Sequence, residues 1–372
     1  MSKRIILTVS NDLVTDQRVN KVAETMYSNG YDVLLTGRKL THSLPFRKPY
    51  SSKRFRLIFN KGALFYAELN LRLFLFLIFS KVDIIYSNDT DTLVACYAVS
   101  KIRRKRLIFD AHELFPEVPE LQNRQKVKRV WQKIENAIFP HLTTSITVCQ
   151  SISDYYHQKY GIKMHVIKNV PKLSEVTEKK IVIPGKKIIL YQGAVNMGRG
   201  LEWVIDAMQF VQNAVLYIIG DGDILEKLKQ KVKNLDLEAI VIFHGRVSGE
   251  ELQTYTSSGD IGLCLLENKG LSYYYSLPNR VFSYLHADVP ILASPFPEIS
   301  EIVGKHKTGI LTEEYEPKKL AAIINKMLKN PLDTSHFSEL KKIYCWEEEQ
   351  NKLLALVIGI KPTRFLKPVR FL

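Results

Sequence analysis

Short apolar runs, each closed by turn residues, recur at 5–10, 31–36, 83–87, 106–109, 144–149 and 165–168. They return at 187–192, 214–219, 240–244, 260–266 and 291–293. Runs of this length bounded by Gly, Pro, Asn and Asp predict buried strands. Between them, apolar residues recur at helical spacing over 17–29, 122–139, 151–160, 201–210, 279–287, 317–329 and 340–355, with Gly30 and the Asp288/Pro290 pair as stop signals. Strand, helix, strand in steady alternation specifies an α/β protein with parallel sheets and right-handed crossovers. Ligands of such sheets bind at the carboxyl ends of the strands.

Two departures from this rhythm divide the chain. Residues 172–186 are polar, contain Pro184 and Gly185 and have no period, so an interdomain linker is expected there. This gives a first lobe at 1–171, a second at 187–335, a helix at 336–355 that crosses back to the first lobe, and a basic aromatic tail at 356–372. The other departure is 64–79, apolar nearly all round but interrupted by Glu68, Asn70 and Arg72. About 20 apolar residues are needed to span a bilayer, so this segment reads either as a helix lying in a membrane interface or as a fully buried core helix.

Charge favours the interface. The chain carries +15 overall, and residues 1–170 hold 27 Lys and Arg against 14 Asp and Glu. A cation-rich loop at 38–56, a basic helix at 122–139 and the apolar segment share this half, a combination suited to an anionic membrane surface. No recognition-helix or stacking-platform pattern points to nucleic acid. Cys96, Cys149, Cys264 and Cys345 are scattered without a close pair, which suggests neither a disulfide framework nor a zinc site and fits a reducing cytoplasm. The opening MSKRIILTVS reads as a first strand, its apolar run being too short for a signal peptide.

Candidate chemistry gathers at the predicted strand ends. Asn11, Asp12 and Asp16 follow the first strand, and Asp16 is equally placed to cap the next helix. Asp89-Thr90-Asp91 could hold a hard divalent ion, although its place at a helix start suits an N-cap. Asp110-Ala111-His112-Glu113 sets a histidine between acids. In the second half, Gly193 to Gly200 resembles a phosphate-binding P-loop, with Arg199 where Lys belongs and Gly200 where a magnesium-binding hydroxyl belongs. Gly220 and Gly245-Arg246-Val247 allow close ligand approach. Pro278 and Asn279 start a helix whose exposed arc is expected to hold Asn279, Arg280 and Ser283, with Val281, Phe282 and Leu285 packed behind. The positive end of that helix with a guanidinium beside it suits a phosphate-bearing ligand.

Leu277-Pro278-Asn279-Arg280, the later Val289-Pro290, the Asp110-Ala111-His112-Glu113 run and the Gly193–Gly200 loop together resemble the family 4 glycosyltransferases of GT-B fold. The resemblance implies two Rossmann-like lobes with parallel sheets facing across a cleft and a nucleoside-diphosphate sugar as donor. It also implies retention of configuration, a phosphate clamp of Arg199 and Arg280, and His112 beside the transferred sugar. By the same resemblance Gly193, Gly200, Gly220, Tyr275, Leu277, Pro278, Asn279, Ser283 and Glu298 face the donor, the Arg246-Val247 backbone reads the base, and Asn11, Asp12 and Asp16 face the acceptor. The chain departs from the family pattern at three places: Ser283 and Tyr275 stand where carboxylates are usual, and Ala194 where the first Arg is usual. The expectation is a metal-independent, cofactor-free glycosyltransferase, cytoplasmic and peripheral at the inner membrane face. It would act on a saccharide or lipid-linked saccharide in surface polysaccharide or lipopolysaccharide assembly. A non-catalytic nucleotide-sugar or membrane-binding protein and a sugar-nucleotide epimerase are the alternatives.

Overall fold

A computed structural model describes residues 2–14, 16–41, 43–173 and 181–359 of the chain. They form two compact units: residues up to Asn169 together with those from Glu349 onward, and Val170–Glu348. Residues 174–180 of the expected linker and 360–372 of the expected tail lie outside the described residues.

The first unit is built on strands β1 (Arg4–Asp12), β2 (Asp32–Arg38), β3 (Ser51–Phe55), β4 (Ile84–Asn88), β5 (Arg106–Ala111), β6 (Ser145–Thr147) and β7 (His165–Val166). They form a sheet in the order β3-β2-β1-β4-β5-β6-β7 with every pair parallel. Ile5, Ile6, Leu7, Ile85 and Ile108 are fully buried, as expected of parallel strands covered on both faces. Strand β3 lies inside the stretch read as a loop. Ser-Ser-Lys-Arg-Phe has no apolar run to announce it; it pairs along β2 at the sheet edge, buries only Phe55, and its charged residues suit an edge. Strand β1 also runs on through Asn11 and Asp12, which are strand residues and not loop residues.

The apolar segment forms a helix over Gly62–Phe79, two residues longer than expected, and it is not a buried core helix. Only Phe65, Leu69, Leu73 and Leu77, one row at i+4 spacing, are buried; the first three pack with Phe55 and Ala95. Leu64, Leu71, Leu75 and Phe79 face outward, Phe79 at 86% exposure. By length and composition the helix could cross a membrane. Its polar residues tie it to the fold instead: Asn70 donates to Asp91 O at 2.7 Å and accepts from Ala95 N at 3.0 Å, and Glu68 Oε2 accepts from Ile58 N and Phe59 N, each at 2.9 Å.

The second unit holds β8 (Lys187–Gln192), β9 (Ala214–Ile219), β10 (Val241–Gly245), β11 (Ile261–Cys264), β12 (Ile291–Ala293) and β13 (Gly309–Leu311), in the order β10-β9-β8-β11-β12-β13, again all parallel. Chain order reverses between β8 and β11, the position at which open α/β sheets bind ligands. Beyond Leu190 and Gly262 these strands no longer pair. Tyr284 fills the fork: its hydroxyl donates to Leu190 O at 3.0 Å and accepts from Gln192 N at 3.3 Å. Its ring lies on Gly262, where a Cβ would sit 2.4 Å from Tyr284 Cγ, so only glycine leaves room.

The helix expected at 340–355 is two helices, Phe337–Ile343 and Trp346–Ile358. The break is held from outside: His286 Nε2 lies 2.8 Å from Tyr344 O, and Trp346 N donates to Pro171 O at 2.7 Å. From Glu349 the last helix belongs to the first unit. Glu349 Oε2 accepts from Lys168 N at 2.9 Å, and the Arg106 guanidinium donates to the carbonyls of Leu356, at 2.6 Å, and Val357.

Candidate active site

In the second unit the chain leaves β8 at Gly193 and crosses the sheet edge to Gly200. Gly193 N donates to Ile219 O at 2.9 Å, Gly220 N to Gly245 O at 2.8 Å and Val195 N to Asp221 O at 3.0 Å, so the ends of β8, β9 and β10 are laced together. Gly220, at φ 144°, is obligatory: a Cβ there would meet Gly193 O at 1.8 Å. The glycine loop thereby presents backbone, not side chains, at the point where β8 and β11 diverge.

Two guanidinium groups flank this loop. Arg280 Cζ lies 4.5 Å from the centre of the Tyr191 ring, and Arg199 Cζ lies 4.5 Å from that of Tyr273. Both cations oppose the effect of burial on the Cys264 thiol at the end of β11, whose pKa is raised on balance. Arg280 Nη1 and Arg199 Nε are buried and make no hydrogen bond. A buried charged donor without an acceptor is costly, and an anionic oxygen from outside the chain would satisfy both.

Arg280 is not on an exposed arc with Asn279 and Ser283. It is buried along with Val281, Phe282, Tyr284 and Leu285, while Asn279 is exposed and Ser283 half-buried. The reason is Tyr191, whose ring covers the guanidinium from β8 and rewards turning that side chain inward. Burial disfavours the Arg280 charge, but the Tyr191 and Cys264 surroundings outweigh it and the group stays protonated. The helix Asn279–His286 begins without a side-chain cap, so its dipole end stays open. Ser283 Oγ turns back to Asn279 O at 3.3 Å. Leu277 is buried, Pro278 half-buried, and Tyr275 half-buried against the Tyr274 ring. Glu298 is buried in the first turn after β12. Arg246 is exposed, its Nε 3.4 Å from Asp221 Oδ2, with Val247 half-buried beside it.

In the first unit the polar residues converge on His112. Its backbone N–H donates to Asp89 Oδ1 at 2.8 Å, Nδ1 lies 3.1 Å from Asp89 Oδ2, and Nε2 lies 3.6 Å from Asp110 Oδ2. Asp110 is fully buried and receives Arg18 Nε at 3.1 Å, Arg18 Nη2 at 2.8 Å and the Tyr86 hydroxyl at 2.8 Å. Burial alone would push Asp110 up, but Arg18 and His112 hold it well below the usual carboxylate range. For His112 burial opposes the charge, yet Asp89 and Asp110 overcome it and the imidazole pKa is raised well above its ordinary value. The two carboxylates thus favour the protonated, hydrogen-bond-donating form of the imidazole. Asp16 serves as the helix cap, accepting from Val19 N at 3.1 Å, and Asp12 is engaged by Val14 N and Arg54 at 3.2 and 3.9 Å; Asn11 is exposed. Among the described residues no group of three or more His, Cys, Asp or Glu is arranged to hold a metal ion.

Residues 17–171 match the family described as Glycosyltransferase Family 4, and residues 174–342 match Glycosyl transferases group 1. The chain belongs to the family 4, group 1 glycosyltransferases. Its GT-B fold is shared with sucrose-phosphate synthase from Thermosynechococcus elongatus, at 16% identity and a TM-score of 0.79 over 96% of this chain and 99% of that one. It is shared also with Anabaena HepE in complex with UDP-glucose, at 16% identity and a TM-score of 0.73 over 96% and 99%. Over 179 residues the glycosyltransferase is 25% identical to alpha-monoglucosyldiacylglycerol synthase of Streptococcus pneumoniae, a match covering 46% of this chain and 38% of that relative, well short of the relative's full length.

Several residues of the glycosyltransferase carry no signal in the sequence. Arg18 sits in an amphipathic helix pattern like any surface cation, and its pairing with Asp110 joins positions 92 residues apart. Lys269 could have been found, since Lys269-Gly270 follows β11 closely: its Nζ pairs with Glu267 at 2.7 Å, and its stem lies beside Gly198.

Proposed function

We propose that this protein transfers a glycosyl group from a nucleoside-diphosphate sugar to a hydroxyl of a saccharide or lipid-linked saccharide acceptor, with retention of configuration. The observation that carries the reading is the pair Arg199 and Arg280, each stacked on a tyrosine and each with a buried nitrogen lacking an acceptor. As the sugar C1–O bond breaks, negative charge grows on the departing diphosphate. Two fixed guanidinium groups, the Gly193–Gly200 backbone and the open start of the helix at Asn279 are preorganised for that charge and make a resident metal unnecessary. The acceptor oxygen forms the new bond to C1, and its proton leaves with the diphosphate. The UDP-glucose complex of HepE supports a nucleotide sugar as donor. The Streptococcus pneumoniae relative, a glycolipid synthase by name, supports a lipid-linked acceptor.

Membrane association belongs to the same proposal. Leu64, Leu71, Leu75 and Phe79 project from one helix, with Ile58 and Phe59 exposed just before it. Val127 and Val130 are exposed on the basic helix Gln125–Ile138, which meets the first helix through Tyr66 and Trp131, 4.9 Å between ring centres. Apolar residues among Lys and Arg suit the headgroup boundary of an anionic leaflet, which supports a peripheral position at the inner face of the membrane.

A panel of nucleotide sugars tested for thermal stabilisation checks the donor. One or more is expected to raise Tm in the wild type and not in Arg199→Ala/Arg280→Ala. A panel without effect, or a double variant that transfers sugar at the wild-type rate, overturns the reading.

A further inference from the structure

Three helices of the first unit end at one place, the turn that leads into β5. Arg103 Nη1 donates to Leu77 O at 2.9 Å and to Ser80 O, closing the helix Gly62–Phe79. Three residues on, the Arg106 guanidinium donates to Leu356 O at 2.6 Å and to Val357 O, closing the helix Trp346–Ile358. The helix between them in sequence, Asp89–Ile102, runs directly into the turn. Each of the three ends in a large apolar side chain that faces out: Phe79 is 86% exposed, Ile102 63% and Ile358 54%. One such residue is ordinary on a surface; three brought to one turn among cations have the composition of a contact surface.

The turn reads Lys101-Ile102-Arg103-Arg104-Lys105-Arg106. Arg103 and Arg106 serve the helix ends, whereas Lys101 and Arg104 are exposed, as is Lys81 just past the first helix. Arg104 holds the left-handed position that closes Asp89–Ile102, at φ 51°, with Lys105 N donating to Ser100 O at 2.9 Å. Glycine is the usual residue there, and an arginine is kept at a cost in backbone strain. Asp83 and Asp32 at the same sheet edge are engaged by Lys105 at 3.5 Å and Arg4 at 3.4 Å, which leaves Lys81, Lys101 and Arg104 to set the sign of the surface. The chain departs from this edge at Gly359, where a Cβ would lie 3.9 Å from Arg106 Nη1. Residues 361–372, outside the described residues, read Lys-Pro-Thr-Arg-Phe-Leu and then Lys-Pro-Val-Arg-Phe-Leu. Two copies of one hexapeptide, each with two cations and a Phe-Leu pair, thus repeat the chemistry that the folded edge presents. A nucleic-acid strand would take the cations, but Ile102, Ile358 and the two leucines offer no ring to a base. An anionic leaflet takes both, its phosphates meeting the cations and its acyl boundary the apolar tips.

We infer that the amino edge of the first sheet and the two Lys-Pro-x-Arg-Phe-Leu segments form one bipartite anchor for an anionic lipid leaflet, at the opposite end of β5 from His112. The inference rests on the membrane reading above. It adds to the apolar row on Gly62–Phe79 an attachment that shares no residue with the candidate active site. Because the segments follow the folded edge directly, their binding is intramolecular once the edge has docked, and each copy multiplies retention.

Sedimentation of the full chain with sucrose-loaded vesicles of phosphatidylcholine, with and without phosphatidylglycerol, tests the anchor. The wild type is expected on the mixed vesicles and not on phosphatidylcholine alone. Lys101→Ser/Arg104→Ser and, separately, Phe365→Ser/Phe371→Ser should each lower the partition coefficient roughly tenfold or more. Phe371→Ser alone, which leaves one segment whole, should fall between the wild type and the double variant. An unchanged thermal transition shows that each variant is folded; should Lys101→Ser/Arg104→Ser unfold, the phenylalanine variants decide. Loss of binding by Leu64→Ser/Leu71→Ser while these variants bind like the wild type would overturn the inference and leave the helix row as the membrane contact. The converse result would remove the row and leave the anchor standing. Equal binding to both kinds of vesicle, or retention on immobilised nucleic acid in preference to the mixed vesicles, overturns the inference. A wild type that binds no vesicle ends both readings.

Discussion

Arg280 places a positive charge where solvent does not reach it, and its value to the reaction follows from that. A preorganised donor aimed at developing negative charge is commonly worth about 2.7–4 kcal/mol. Arg280→Ala is accordingly expected to lower kcat/KM by roughly 100- to 1000-fold at saturating acceptor, with Arg280→Lys recovering part of the loss; steady-state kinetics check this. His112 gives a prediction of opposite character. Because Asp89 and Asp110 raise its pKa, activity that depends on the protonated ring should be lost only above the ordinary histidine range, on the alkaline side, as a pH–rate profile checks. The stabilisation from its clamp has the same sign: fully present below the unfolded histidine pKa of about 6.5 and lost as pH rises through the folded value. Asp89→Asn removes one of the two supporting carboxylates and should move the alkaline limb of the rate profile to lower pH. An unmoved limb would mean that another group controls it.

At the scale of elements, apolar runs placed most strands to within a residue or two, because a parallel strand buried on both faces must be apolar throughout. Strand β3 was illegible for the converse reason: an edge strand of Ser, Ser, Lys and Arg is specified by its neighbour's backbone and not by its own side chains. The same limit hid the inward turn of Arg280, which depends on Tyr191, and the buried Arg18–Asp110 pair beside His112, which joins positions 92 residues apart. Helical period on the single sequence assigned Arg280 to the open face because a charged residue looks like a surface residue until its partner ring is known. The glycine loop and the Pro278-Asn279 helix start were legible, since their chemistry is local. The fork between β8 and β11 yields a further prediction. Gly262→Ala would drive a methyl into the Tyr284 ring and should cost about 1–3 kcal/mol of stability in denaturant unfolding. Tyr284→Phe, which abandons the Leu190 and Gln192 bonds, should cost about as much.

For the whole molecule, the uneven charge and the exposed apolar row assign the proposed membrane affinity to the first unit. Leu75→Ser/Phe79→Ser should reduce flotation with anionic vesicles several-fold while leaving nucleotide-sugar stabilisation intact, and raised salt should weaken what remains. Equal flotation by the wild type and the variant would remove the helix from the contact. Transfer should also persist in excess chelator if the guanidinium groups supply the positive charge.

The two units are interleaved along the chain, since the helix leaving Trp346 completes the first one by covering Lys168 N–H and the Arg106 guanidinium. During synthesis every residue of Val170–Glu348 must therefore emerge before the first unit can close. A fragment ending at Asn169 would leave those donors bare, and its rescue by an added peptide spanning 346–359 would measure how much the late-arriving helix contributes.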